Sequence, residues 1–119
     1  MSTQDIANRL VALCRKGDFE KAQNDLFSED AVSIEPHDTP AFAKETKGLR
    51  AIREKGSKWN SMVKEMHGLS VSDPLVSSNS FACTMRMNVT MKDEKQIDIS
   101  ELCVYQVKDD KIISEQFFM

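Results

Sequence analysis

Two neighbouring runs decide the fold: Phe81-Ala82-Cys83-Thr84-Met85-Arg86-Met87-Asn88-Val89-Thr90-Met91 and Ile97-Asp98-Ile99-Ser100-Glu101-Leu102-Cys103-Val104-Tyr105. In the first, large apolar residues alternate with small or polar ones, the period of a strand with one buried face. In the second, Ile97, Ile99, Cys103 and Tyr105 keep that parity, and Glu101 stands in the middle of their row. Asp93-Glu94-Lys95 between the runs reads as a tight turn, which makes the two strands antiparallel neighbours. A charge in an apolar row costs several kcal/mol unless it is paired, hydrogen-bonded or protonated. Glu101 is therefore the residue that most needs a reason.

The same period continues outward. Asp109-Asp110 reads as a second tight turn, leading into a strand over Lys111–Phe118, and His67–Asp73 reads as a strand stopped by Pro74. Upstream the period changes to that of a helix. Ser2 or Thr3 can cap a helix burying Ile6, Leu10, Leu13 and Cys14, and Gly17 ends it. Asp18 begins a second helix with Phe19, Ala22, Leu26 and Phe27 inward. A short extended piece, Ala31 to Glu35, stops at Pro36, which holds Glu35 in extended backbone. Pro36–Lys47 reads as a loop whose one large apolar side chain, Phe42, suits a plug or lid. After Gly48, the stripe Leu49, Ile52, Gly56, Trp59, Val63 and Met66 marks the clearest helix, with Lys and Glu opposite. Gly56 within it implies close backbone packing on a sheet. Helices first, then a strongly curved antiparallel sheet carrying them on one face, is an α+β domain spanning 1–119.

The outer sheet face would show Leu102, Val104, Ile112 and Phe118, an apolar set suited to a homodimer interface. A net charge of −3, with both signs interspersed and no basic stripe, argues against nucleic acid and an anionic membrane surface. The apolar runs are too short to span a bilayer. A first helix carrying Asp5 and Arg9 does not read as a signal peptide. Cys14, Cys83 and Cys103 lie in apolar rows without paired spacing, as reduced thiols of a cytoplasmic protein would. No histidine pair has metal-ligand spacing, and neither a phosphate-binding loop nor a nucleophile signature occurs, so neither metal nor cofactor is expected.

The candidate site follows from parity. Burial should raise the pKa of Glu101, making it an acid near neutrality, or else Glu101 is a structural carboxylate bonded to a helix end or to His67. Glu35, at a strand end beside a loop, suits a general base. His67, at the start of its strand, would face the pocket and pair with a glutamate. Trp59 would form a wall, with Met85, Met87, Ile99 and Phe117 as apolar lining or plain core. Glu115 shares parity with Phe117 and would be a third inward carboxylate.

Three segments in this order resemble the nuclear-transport-factor-2-like superfamily. They are Phe27-Ser28-Glu29-Asp30-Ala31-Val32-Ser33-Ile34-Glu35-Pro36, Lys47-Gly48-Leu49-Arg50-Ala51-Ile52, and the hairpin from Val104 through Asp109-Asp110 to Phe118, with Asp110 where glycine is usual. The resemblance covers nearly the whole chain and is nearest the SnoaL-like polyketide cyclase and ketosteroid isomerase branch. It implies a cone-shaped, cystatin-like α+β roll with a pocket at its open end. It also implies that Glu35 occupies the position of the isomerase general base, and Glu101 that of the protonated, hydrogen-bond-donating acid. The isomerase tyrosine falls at or near Leu10, so one of the two oxyanion donors is missing. The expected function is a cofactor-independent cyclase or isomerase acting on a small apolar carbonyl-containing molecule. The alternatives are a non-catalytic binding protein or a dimeric scaffold of the same fold.

Overall fold

The computed structural model describes residues 1–119. Ser2 caps α1 (Thr3–Arg15) through a reciprocal pair: the Asp5 N–H donates to the Ser2 hydroxyl, and the Ser2 N–H donates to the Asp5 carboxylate. The helix buries Ile6, Leu10, Leu13 and Cys14, and the chain leaves it at Gly17, which adopts φ +77°. Asp18 starts α2 (Phe19–Leu26) without a side-chain capping bond. β1 then begins at Phe27 rather than at Ala31 and runs to Ile34. Phe27 is a strand residue because it pairs beside Ile112 at the far end of the chain.

The expected loop Pro36–Lys47 contains a strand, β2 (Glu45–Lys47), which folds back antiparallel on β1. Gly48 follows at φ +91°, donates its N–H to Ala31 O at 2.7 Å, and starts α3 (Leu49–Met62). That helix stops at Met62, short of the expected Met66. Val63 already has extended backbone and opens β3 (Val63–Val71), leaving Met66 exposed. A short β4 (Leu75–Ser77) pairs with the start of β5 (Ser80–Met91), followed by β6 (Gln96–Lys108) and β7 (Lys111–Phe118).

The sheet order is β2-β1-β7-β6-β5-β3. All neighbours are antiparallel except β1 and β7, which run parallel, so the sheet is mixed rather than wholly antiparallel. Short turns force antiparallel pairing only between consecutive strands, whereas β1 and β7 are joined through almost the entire chain. The α+β class stands: three helices pack on the inner face of an open, mixed sheet.

The core forms where α1 packs on β3 and β5. Phe81 and Tyr105, directly opposite each other, stack with ring centroids 4.8 Å apart at 18°. Such a pair contributes about 0.5–1.5 kcal/mol beyond its area burial. The β6–β7 register slips at Ile113, so that Ile112 faces Val107 while Ser114 faces Gln106. Ile112 is therefore fully buried, not on the outer face as strict alternation required. The outer face keeps Leu102 and Phe118, 41% and 47% exposed and directly opposite one another, with half-buried Val104 beside them.

Candidate functional site

A cleft of about 800 Å³ opens between α3 and the inner face of β5, β6 and β7. Its walls follow from the periods already described. Met85 on β5 is the direct cross-strand partner of Glu101 on β6, and Met87 is the partner of Ile99, so one row of inward side chains makes a mostly apolar floor. Phe117 on β7 and Trp59 on α3 face it from the sides. Phe42, from the segment before β2, also reaches the cleft. Lys58 fixes that segment, bonding Ala41 O and lying 5.1 Å from the Phe42 ring centroid.

Five glutamates line the cleft: Glu20 and Glu54 are exposed, while Glu35, Glu101 and Glu115 are half-buried or buried. Glu101 is half-buried, and its one hydrogen-bonding contact within the protein is the weak Cys103 thiol at 4.0 Å. Removal from water, reinforced by the negative charges of Glu35 and Glu115, pushes its pKa up to about 7 against the opposing pull of Lys55. Glu115 is 6% exposed and accepts a hydrogen bond from the Ser33 hydroxyl at 2.8 Å. Burial raises its pKa, partly offset by Ser33 and Lys55, with Glu35 pushing further upward.

Lys55 is the cation at the centre of this group. Its Nζ donates to Ser33 Oγ at 2.6 Å and to Glu35 Oε2 at 3.3 Å, and lies 5.7 Å from the Phe117 ring centroid. A continuous chain of polar contacts thus runs Glu35–Lys55–Ser33–Glu115, while Glu101 stands apart from it. Cys14 also lines the cleft, and burial, with Cys83 and Glu115 adding to it, raises its thiol to about 12, so it stays protonated.

The residues expected from the sequence are mostly brought together. Glu35, Trp59, Met85, Met87, Ile99, Glu101, Glu115 and Phe117 all line the cleft. His67 does not. It sits where the β3–β5 register slips, is exposed, and its Nε2 lies 2.6 Å from the Thr90 hydroxyl. The expectation that it pairs with a pocket glutamate fails because the helix ended early and the irregular strand turned the ring to solvent. Leu10, at or near which the resemblance would put the isomerase tyrosine, is 2% exposed within the core.

Sequence reasoning missed Lys55 and Ser33. Both had a signal. Lys55 lies three residues after Ile52 and four before Trp59, squarely on the inward stripe, and Ser33 shares strand parity with Glu35. Gly56 was expected to touch a sheet backbone, yet a Cβ there would meet nothing within 4 Å. It borders the cleft instead.

The SnoaL-like domain family matches residues 1–119. The chain belongs to this SnoaL-like family. A proposed SnoaL-like polyketide cyclase from Mesorhizobium loti shares 30% identity with it over 100% of both chains, with a TM-score of 0.93. A cystatin-like protein of unknown function from Xanthomonas campestris superposes at TM-score 0.83, with 18% identity over 99% of this chain and 90% of its own. A proposed isomerase from Bacillus subtilis does so at 0.72, with 16% identity over 98% and 88%. At those identities the last two speak for the fold alone. No curated protein matches the chain.

Proposed function

We propose that this SnoaL-like cleft carries out cofactor-independent acid–base chemistry beside a carbonyl, as a cyclase or isomerase of a small apolar molecule. The observation that carries the reading is Glu101: a half-buried carboxyl on an apolar floor, raised to about 7 and free of strong protein partners, in the same open space as Glu35. A filled interior would have favoured a scaffold. A Glu101 saturated by backbone donors would have favoured simple binding.

In the proposed step, the Glu35 carboxylate takes a proton from the carbon next to the carbonyl. The C–H electron pair becomes the C=C bond of an enolate, and the carbonyl oxygen takes the negative charge. Protonated Glu101 donates a hydrogen bond to that oxygen. An isomerase returns the proton at another carbon. A cyclase instead lets the enolate carbon attack a second carbonyl of the same molecule: the C–C bond forms, the C=O π pair moves to its oxygen, and that oxygen takes the proton back from Glu35. Positioned acid–base groups of this kind contribute on the order of 10²–10⁴ in rate.

The test is exchange of α-protons into D₂O, followed by NMR over a panel of apolar ketones and β-dicarbonyls. Wild type should exchange at least one of them well above background, Glu35→Gln should abolish this, and Glu101→Gln should slow it at least about tenfold. Full rate in Glu101→Gln would sink the assigned role. One feature favours a non-catalytic binding protein: the Glu35–Lys55 ion pair at 3.3 Å engages the base. Tight binding of a panel member without exchange would establish that alternative.

We also propose that two copies associate through the outer sheet face, on the strength of the exposed Leu102–Phe118 pair. The three buried free thiols are consistent with a reducing compartment, and we place the protein in the cytoplasm on that ground. No helix is long and apolar enough to cross a membrane. Light scattering should give a dimer mass for wild type and a monomer mass for Leu102→Lys. A monomeric wild type at micromolar concentration would end the dimer proposal.

A further inference from the structure

An ammonium group carries three N–H donors. Lys55 spends two, on Ser33 Oγ at 2.6 Å and Glu35 Oε2 at 3.3 Å, and has no third protein acceptor. Its side chain is only 18% exposed, and it borders the cleft. A desolvated cation with a spare donor, aimed at an apolar space, is a site for an oxygen that carries or develops negative charge.

We propose that Lys55 is a second anion-stabilising catalytic residue of the cleft, its spare N–H binding the substrate oxygen on which charge forms. This rests on the enolate reading above and deepens it.

Geometry supports the assignment. In a carbonyl compound the α-carbon and the carbonyl oxygen are about 2.4 Å apart, from standard bond lengths and angles. Glu35 Oε2 and Lys55 Nζ are 3.3 Å apart, so the two groups can serve those two atoms side by side. The electrostatics change in the right direction. Before proton transfer the ammonium faces the Glu35 carboxylate. Afterwards Glu35 is neutral and the new negative charge lies on the substrate oxygen. The ammonium thus keeps an anionic partner throughout without having to move, the charge on the substrate oxygen replacing the one lost from Glu35.

The surrounding groups leave this exchange undisturbed. Lys55 on α3 is faced by Ser33 and Glu35 from β1, Glu101 from β6 and Glu115 from β7, with Cys14 of α1 also on the cleft. Glu115 is engaged by Ser33, and Glu101 in its acid form adds a donor rather than a charge.

4-Nitrophenol tests this directly, because its anion is an enolate-like oxyanion with its own visible absorbance. Its ionisation when bound should be followed by pH titration in wild type, Lys55→Met, Lys55→Arg and Glu101→Gln. Wild type should bind the anion roughly tenfold or more tighter than the neutral phenol. Lys55→Met should lose most of that preference while Lys55→Arg retains it. An undiminished preference in Lys55→Met would overturn the role of Lys55 and leave the enolate reading standing. Failure of wild type to bind either form would count against both. Should Lys55→Met not fold, Lys55→Gln takes its place, with thermal melting as the check.

Discussion

The Ser33 hydroxyl donates to Glu115 Oε1 at 2.8 Å, across the one parallel pair of strands in the sheet, where the two residues are direct register partners. The same oxygen of Ser33 accepts from Lys55, so one small hydroxyl orders a buried acid and a cation together. Ser33→Ala should destabilise the protein by about 1–3 kcal/mol, the cost of stranding buried polar partners. It should also raise the Glu115 pKa further, since Ser33 now holds it down. Denaturant melts and carboxyl NMR titration check both. Because the two residues interact directly, adding Glu115→Gln should cost less than the sum of the single changes.

Stability should carry the mark of Glu101. Its folded pKa, about 7, lies above the 4.5 usual for a glutamate, so the folded state holds the proton more tightly. The unfolded chain binds fewer protons between those values, and stability must fall as pH rises from about 4.5 through about 7. Glu101→Gln removes this contribution. The variant should gain on wild type between pH 5 and pH 8 in denaturant midpoint, and an unchanged gap between the two proteins would contradict the assignment.

Gly56 offers a stabilising change that touches nothing. It lies inside α3, and a Cβ there has open space around it. Gly56→Ala should add about 0.5–1 kcal/mol by the helix preference of alanine. Gly56→Phe should instead project into the cleft and weaken uptake of 4-nitrophenol while the helix persists by circular dichroism.

The last hairpin turn is built from two aspartates at positive φ, Asp109 at 51° and Asp110 at 64°. Left-handed backbone at both turn positions is the geometry that glycine relieves. Asp110→Gly should raise stability by about 0.5–1 kcal/mol in thermal melts. The exposed contact between the Met1 amino group and Asp110 at 3.6 Å would be lost, at negligible cost.

What was legible in the sequence was whatever a strict period could carry. Parity in β5 and β6 placed Glu101, Met85, Met87 and Ile99 on one face, and α3 placed Trp59 beside them. Parity failed where the backbone broke it. The slip at Ile113 buried Ile112, and the irregular stretch of β3 sent His67 to solvent. Lys55 was hidden by its type, since a lysine among charged neighbours reads as surface even on the inward stripe, and the carboxylate and hydroxyl that hold it there belong to a distant strand. The parallel pairing of β1 with β7 leaves no local trace at all, because the residues that meet there are separated by most of the chain.

That pairing also sets an order of assembly. β7 is the last strand in sequence yet lies in the middle of the sheet, and β1 with β2 has no other strand contact to the rest. Until β7 inserts, the sheet is two separate pieces, one bearing Ser33 and the other Glu101. The Ser33–Glu115 contact closes a separation of 82 residues. Contacts that distant come at a high entropic cost and slow folding. The cleft is therefore completed only together with the sheet itself, and no state in which β7 is still unplaced can hold it.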